Sequence, residues 1–147
     1  MIIQTSRFGE LQYEKEQIIV FEEGIPGFKE YRNYMIVSEE DSPFQYLQSL
    51  EEGALAFIIV VPFDFVLDYE FVLSEKVKED MAIQSERDIQ VYNIVNVQGD
   101  LAAATINLAA PVIIHSSSRK GLQYILPDGH YSIYHPLFKT VSAEGVE

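Results

Sequence analysis

Ile89-Gln90-Val91-Tyr92-Asn93-Ile94-Val95-Asn96-Val97, followed by Gln98-Gly99-Asp100 and then Leu101-Ala102-Ala103-Ala104-Thr105-Ile106-Asn107-Leu108, sets the architecture of this chain. The first run is dense in β-branched and aromatic residues, which fit a pleated, half-buried surface better than a helix. The tripeptide after it is compatible with a turn, so the two runs predict an antiparallel hairpin. Ala102 and Ala104 then share one face and leave room for close packing. Beyond the hairpin, Pro111 opens Val112-Ile113-Ile114-His115, and proline is tolerated at a strand start because the first amide need not join a ladder. Residues 122–126 and 131–134 read as two further strands, joined by the turn signal Pro127-Asp128-Gly129.

The same grammar extends toward the N-terminus. Residues 18–21 and 54–61 are continuous apolar runs that suit strands covered on both faces, and Met35-Ile36-Val37 is a shorter one. Leu11 and Tyr13 alternate with Glu10, Gln12 and Glu14, which describes a strand with one wet face after a turn at Gly9. Tyr46 and Gln48 alternate with Phe44, Leu47 and Leu50 well enough to favour a strand over a helical stripe. A single segment, residues 75–82, reads as helix: Ser74 can cap it, and Val77 and Met81 lie four residues apart on one side. The expectation is therefore an all-β antiparallel domain spanning residues 1–147, with one short helix and a fraying tail at 141–147.

Composition fits a globular chain, with 48% apolar and 22% charged residues. The longest apolar run, 54–61, falls far short of the ~20 residues that a membrane-spanning helix requires, and the first residues do not read as a secretory signal. The absence of cysteine excludes disulfides and thiolate metal sites and suits a reducing compartment, so a cytoplasmic location without membrane contact is expected. The formal charge of −13 argues against direct binding to nucleic acid. It is unevenly distributed: residues 1–88 hold 19 carboxylates against 7 cations, a net of −12, while residues 89–147 hold 4 against 3. Such a surface serves either solubility or a cationic protein partner.

Motifs for chemistry are missing. Neither G-x-x-x-x-G-K-[ST] nor G-x-G-x-x-G occurs. His115-Ser116-Ser117-Ser118 pairs a histidine with serines but lacks the strained G-x-S-x-G turn that a nucleophile needs, and reads as a polar loop after a strand. His130 and His135, five apart on an extended chain, point to opposite faces and cannot share a metal unless the strand bends. No spacing singles out a carboxylate pair for acid and base roles. The expectation is a protein that is not an enzyme and holds no cofactor or metal.

Two segments carry the binding signal. In residues 63–73, Phe63, Phe65, Leu67, Tyr69, Phe71 and Leu73 fall on one side of an extended chain, the side expected to be core. Asp64, Val66, Asp68, Glu70 and Val72 fall on the other, as a solvated face or an acidic rim with apolar contact points. In Phe21-Glu22-Glu23-Gly24-Ile25-Pro26-Gly27-Phe28, two glycines and a proline enforce a tight loop whose Ile25 and Phe28 either plug the core or face a partner.

That second segment, together with Pro43-Phe44-Gln45-Tyr46-Leu47-Gln48-Ser49, Asp68-Tyr69-Glu70-Phe71, residues 105–114 and residues 119–126, resembles the FliW family of flagellar assembly factors over nearly the whole chain. His115 stands where that family usually places asparagine. The resemblance implies a β-barrel-like fold and a non-enzymatic regulator that binds the RNA-binding translational repressor CsrA. It thereby relieves repression of flagellin translation, and flagellin itself is a competing partner. Transferred to this chain, the partner contacts fall on Glu22, Glu23, Asp64, Asp68 and Glu70, with Phe44 and Val66 as apolar anchors. The rival expectation is a flagellin or secretion chaperone whose acidic surface serves only solubility.

Overall fold

A computed structural model describes residues 1–127 and 129–138. Its longest strand is β7 (Ile89–Asn96), and the sheet is built around it. In chain order the strands are β1 (Ile2–Thr5), β2 (Gly9–Gln12), β3 (Ile19–Val20), β4 (Asn33–Ser38), β5 (Gln45–Ser49), β6 (Ala56–Val60), β7, β8 (Thr105–Ile106), β9 (Val112–His115), β10 (Gly121–Gln123) and β11 (His135–Pro136). The one α-helix among the described residues, α1 (Glu75–Asp80), begins where Ser74 Oγ accepts the Val77 N–H at 3.2 Å.

β1 and β2 form a separate hairpin. The other nine strands make one antiparallel sheet in the order β10-β9-β7-β6-β5-β4-β3, with β8 bridging β7 and β11. β7 is long enough to serve different neighbours along its length. Ile89 to Tyr92 pair with His115 to Val112 of β9, while Val95 and Asn96 pair with Ile106 and Thr105 of β8 on the same edge. Asn93 to Val95 pair with Val60 to Ile58 of β6 on the opposite edge. This staggering curls the sheet until its outermost strands touch. The Val20 N–H donates to Arg119 O at 2.9 Å, in a lone parallel bridge between Val20 and Lys120. The fold is barrel-like in that sense, although no ladder closes it.

Phe21, Tyr34, Leu47, Ile59, Val112 and Ile114 fill the concave side. At the seam, a Cβ on Gly121 would lie 2.6 Å from the Phe21 ring, so only glycine lets the two edges approach. Val60, Tyr69, Val95, Ile106, Leu108 and Leu137 form a second cluster, and Leu73, Met81 and Ile113 a third on the outer face of β9. The helical stripe is used as expected, because Val77 and Met81 both join this third cluster.

Several expectations need correction. Residues 101–108 are not one strand: Leu101–Ala103 form a 3-10 turn whose Ala102 N–H is accepted by Asp100 Oδ1 at 3.1 Å, and only Thr105–Ile106 pair. Ala102 is consequently exposed while Ala104 is buried. The run 122–126 is paired only as Gly121–Gln123. Residues 131–134 form no strand, since the Tyr134 N–H turns back to Ser132 Oγ at 2.9 Å and pairing resumes at His135. The tail at 141–147 and Asp128 of the expected turn lie outside the described residues.

Candidate partner-binding surface

The segment expected to run extended from 63 to 73 does so only in its second half. β6 ends at Val60, and Pro62 starts a 3-10 turn, Pro62–Asp64, whose Pro62 carbonyl accepts the N–H groups of Phe65 (3.0 Å) and Val66 (2.8 Å). Alternation is lost there: Phe63 is exposed and Leu67 is 89% exposed, contrary to the core role expected of both. From Tyr69 onward it returns, with Tyr69 and Leu73 buried and Glu70 and Val72 outside. The physical reason is the proline, which cannot donate to the β7 ladder and forces the chain off the sheet.

Tyr69 fixes the loop that results. Its hydroxyl donates to Leu108 O at 2.7 Å and accepts from Asn93 Nδ2 at 3.3 Å, while that amide also donates to Asn107 O at 2.7 Å. Burial pushes the Tyr69 phenol up to about 12, against the lowering effect of the Asn93 hydrogen bond and with a small contribution from Tyr131. The Tyr131 ring packs edge-on to Tyr69, and its hydroxyl accepts the Glu70 N–H at 3.1 Å. A crest anchored at Tyr69 and Glu70 therefore presents Asp64, Asp68 and Glu70 to solvent. Val66 and Phe44 are half-buried against the same core cluster, so they support this crest from within.

Glu22 and Glu23 lie elsewhere, lining a second, smaller groove beside α1 and β10. Glu22 is exposed and pairs with Lys120 at 3.4 Å. Of the two bulky residues in their loop, one plugs the core and the other does so only in part. Ile25 is buried, whereas Phe28 is partly exposed with its ring edge-on to Phe57. The seven proposed contacts thus fall into two groups, Asp64, Val66, Asp68 and Glu70 with Phe44, and Glu22 with Glu23.

Among the described residues three ion pairs form, Lys76–Asp80, Lys78–Glu75 and Lys120–Glu22, all at the surface. The negative charge of the first 88 residues is therefore displayed rather than neutralised internally. No group of three or more histidines or carboxylates among the described residues is placed to hold a metal. His115 ends β9 with Nδ1 accepting the N–H groups of Ser117 (3.2 Å) and Ser118 (3.3 Å), so it shapes the following turn. No helix among the described residues is long and apolar enough to cross a membrane.

Sequence reading missed an open groove of about 1050 Å3 between the 69–73 segment and residues 83–87, floored by Ile89 and Val91. The available signal was Pro62 directly after an apolar run, which marks where β6 must leave its neighbour.

The family model described as FliW protein matches residues 2–137. The flagellar assembly factor FliW of Caldicellulosiruptor bescii is 41% identical over 143 residues, covering 97% of this chain and 94% of that one. The protein of the same description from Alkaliphilus metalliredigens is 41% identical over 143 residues, covering 96% and 88%. A crystal structure of the flagellar assembly factor FliW superimposes with a TM-score of 0.88 at 36% identity, covering 95% of this chain and 98% of the other.

Proposed function

This chain belongs to the FliW family, and from that premise we propose that it is a cytoplasmic, non-enzymatic regulator. It binds and antagonises a CsrA-type RNA-binding repressor, relieving repression of flagellin translation, and binds flagellin as a competing partner. The observation that carries this reading is the crest of Asp64, Asp68 and Glu70, which are exposed and take part in none of the described ion pairs. A repressor that grips RNA phosphates must itself be cationic near its RNA site. Carboxylates held beside that site steer the encounter and repel phosphates over roughly one Debye length, ~8 Å at physiological salt. Phe44 and Val66 support the crest, and Glu23 extends the negative field toward the seam, where Glu22 pairs with Lys120.

The test is a pull-down of purified repressor and of flagellin with the wild-type protein and with the Asp64→Lys, Asp68→Lys, Glu70→Lys triple variant. A folded variant that loses the repressor supports the assignment; one that retains it unchanged removes these residues from the interface. Calorimetry at two ionic strengths separates the rival chaperone reading. Charge-driven binding weakens as salt rises, whereas apolar chaperone contacts hold.

A further inference from the structure

β7 carries an unpaired stretch of edge inside the large groove. On its β9 side, the Ser116 N–H donates to Asp88 O at 2.8 Å and the Asn107 N–H to Ile94 O at 2.9 Å. Backbone groups alternate between edges along an antiparallel strand, so Gln90 and Tyr92 face β9, and Ile89, Val91 and Asn93 face the other way. Asn93 is met there by Val60 of β6. Continuing that register would set Pro62 opposite Val91. Pro62 has no N–H, and its carbonyl is already taken by Phe65 and Val66. The Ile89 N–H is satisfied by Glu86 O. The carbonyl of Ile89 and both backbone groups of Val91 are left without a strand partner, at the floor of the 1050 Å3 groove.

Proteins usually cover, twist or charge such an edge, because unpaired amides template pairing with another chain. Here it is instead walled by Phe71, Leu73 and Ile83, side chains that would pack against a strand laid along it. We propose that this groove is a strand-addition site. It takes one extended polypeptide segment of a partner, apolar at alternate positions and flanked by lysine or arginine. The recessed position selects the occupant: a single strand can enter, whereas the equally recessed edge of a second copy cannot reach it. Charge selects its flanks. The lining itself balances Glu70 and Glu86 against Lys78 and Arg87, but the surrounding segment 62–88 holds eight carboxylates against Lys76, Lys78 and Arg87, so the negative field acts on the flanks of an incoming strand rather than on its centre. Main-chain hydrogen bonds then supply affinity, and the pockets for alternate side chains supply specificity. The groove shares Glu70 with the acidic crest, but Asp64 and Asp68 do not line it, and the peptide test reads strand pairing at Val91 whichever protein provides the segment.

The test uses a short capped peptide that alternates valine with threonine between terminal lysines. Two further versions are N-methylated, one on every valine amide and one on every threonine amide. In an extended strand these amides face opposite edges, so strand addition predicts that one isomer binds like the parent and the other at least about tenfold more weakly, a change of ~1.4 kcal/mol. Exchange of the Val91 amide with solvent slows on binding, and Val91→Pro, which removes that N–H, abolishes the interaction. If that variant fails to fold, the pair of methylated peptides still decides. A peptide that does not bind at low salt, isomers that bind alike, or unchanged Val91 exchange overturns the proposal.

Discussion

The Tyr69 hydroxyl donates to the Leu108 carbonyl at 2.7 Å, joining residues 39 apart and pinning the acidic crest to the turn that leads into β9. Tyr69→Phe leaves that carbonyl and one donor of Asn93 without their buried partner, and costs about 1–3 kcal/mol in urea unfolding. The same group sets an alkaline limit. Its folded pKa, raised to about 12, exceeds the unfolded value near ~10, so its contribution is fully present below the latter and is lost as pH rises through the former. Absorbance titration of the phenolates detects Tyr69 among the last to ionise, beside Tyr34, which burial also pushes up to about 12, with smaller contributions from Glu51 and Glu30. The Tyr69→Phe variant loses part of that late signal and part of the alkaline destabilisation.

How much of this was legible beforehand depends on how local its cause is. β7 was read almost to the residue because its apolar pattern and its pairing agree along its whole length. The crest was read as a strand because alternation in residues 63–73 is real, yet one proline upstream overrides it, and periodicity cannot register a missing donor. Residues 101–103 depart from the expected strand for a related reason: Asp100 offers the backbone a side-chain acceptor, and a polar cap beats a short alanine strand. Of the proposed contacts, the exposure of the carboxylates was foreseeable from their chemistry. That Glu22 and Glu23 line a different groove from Glu70 was not, since it follows from long-range register alone.

The sheet seam gives a packing prediction. A Cβ on Gly121 meets three atoms of the Phe21 ring at 2.6 to 2.8 Å, and Phe21 is fully buried, so the ring cannot simply swing away. Gly121→Ala therefore costs roughly 1–3 kcal/mol through overpacking. Adding Phe21→Leu, itself destabilising, is expected to give a double variant more stable than the two single losses would sum to. A double-mutant cycle by urea unfolding measures that coupling, and additivity would show that the contact relaxes without strain.

The turn after β9 gives the His115 side chain a structural role. Because Nδ1 of His115 accepts from both Ser117 and Ser118, the neutral ring carries its proton on Nε2. An asparagine Oδ1 can serve the same two donors, so His115→Asn leaves the melting temperature nearly unchanged. His115→Ala removes the acceptor and costs about 0.5–1.5 kcal/mol per lost bond, with faster exchange of the two serine amides. Equal stability of the alanine and asparagine variants would deny the turn-capping role.

Asp88 supplies a complementary acid limit. Its Oδ2 accepts the N–H groups of Gln84 at 2.8 Å and Ser85 at 3.0 Å, which hold its carboxyl below the usual range against the raising effect of desolvation, with His115 adding a smaller lowering effect. A depressed folded pKa contributes stability that is present above the unfolded value near ~3.9 and is lost as pH falls through the folded one. Most other carboxylates of this −13 chain repel one another, so protonating them relieves strain and works in the opposite direction. The comparison must therefore be differential. In thermal melts between neutral pH and pH 2, Asp88→Asn is expected to be less stable than wild type at neutrality, and the gap narrows below pH 4 as the wild-type carboxyl takes up its proton. The carboxyl of Asp88 also shapes the loop entering β7, so the same variant should quicken exchange of the Gln84 and Ser85 amides at neutral pH. A gap that stays constant across the titration would mean that Asp88 acts through its shape alone and not through its charge.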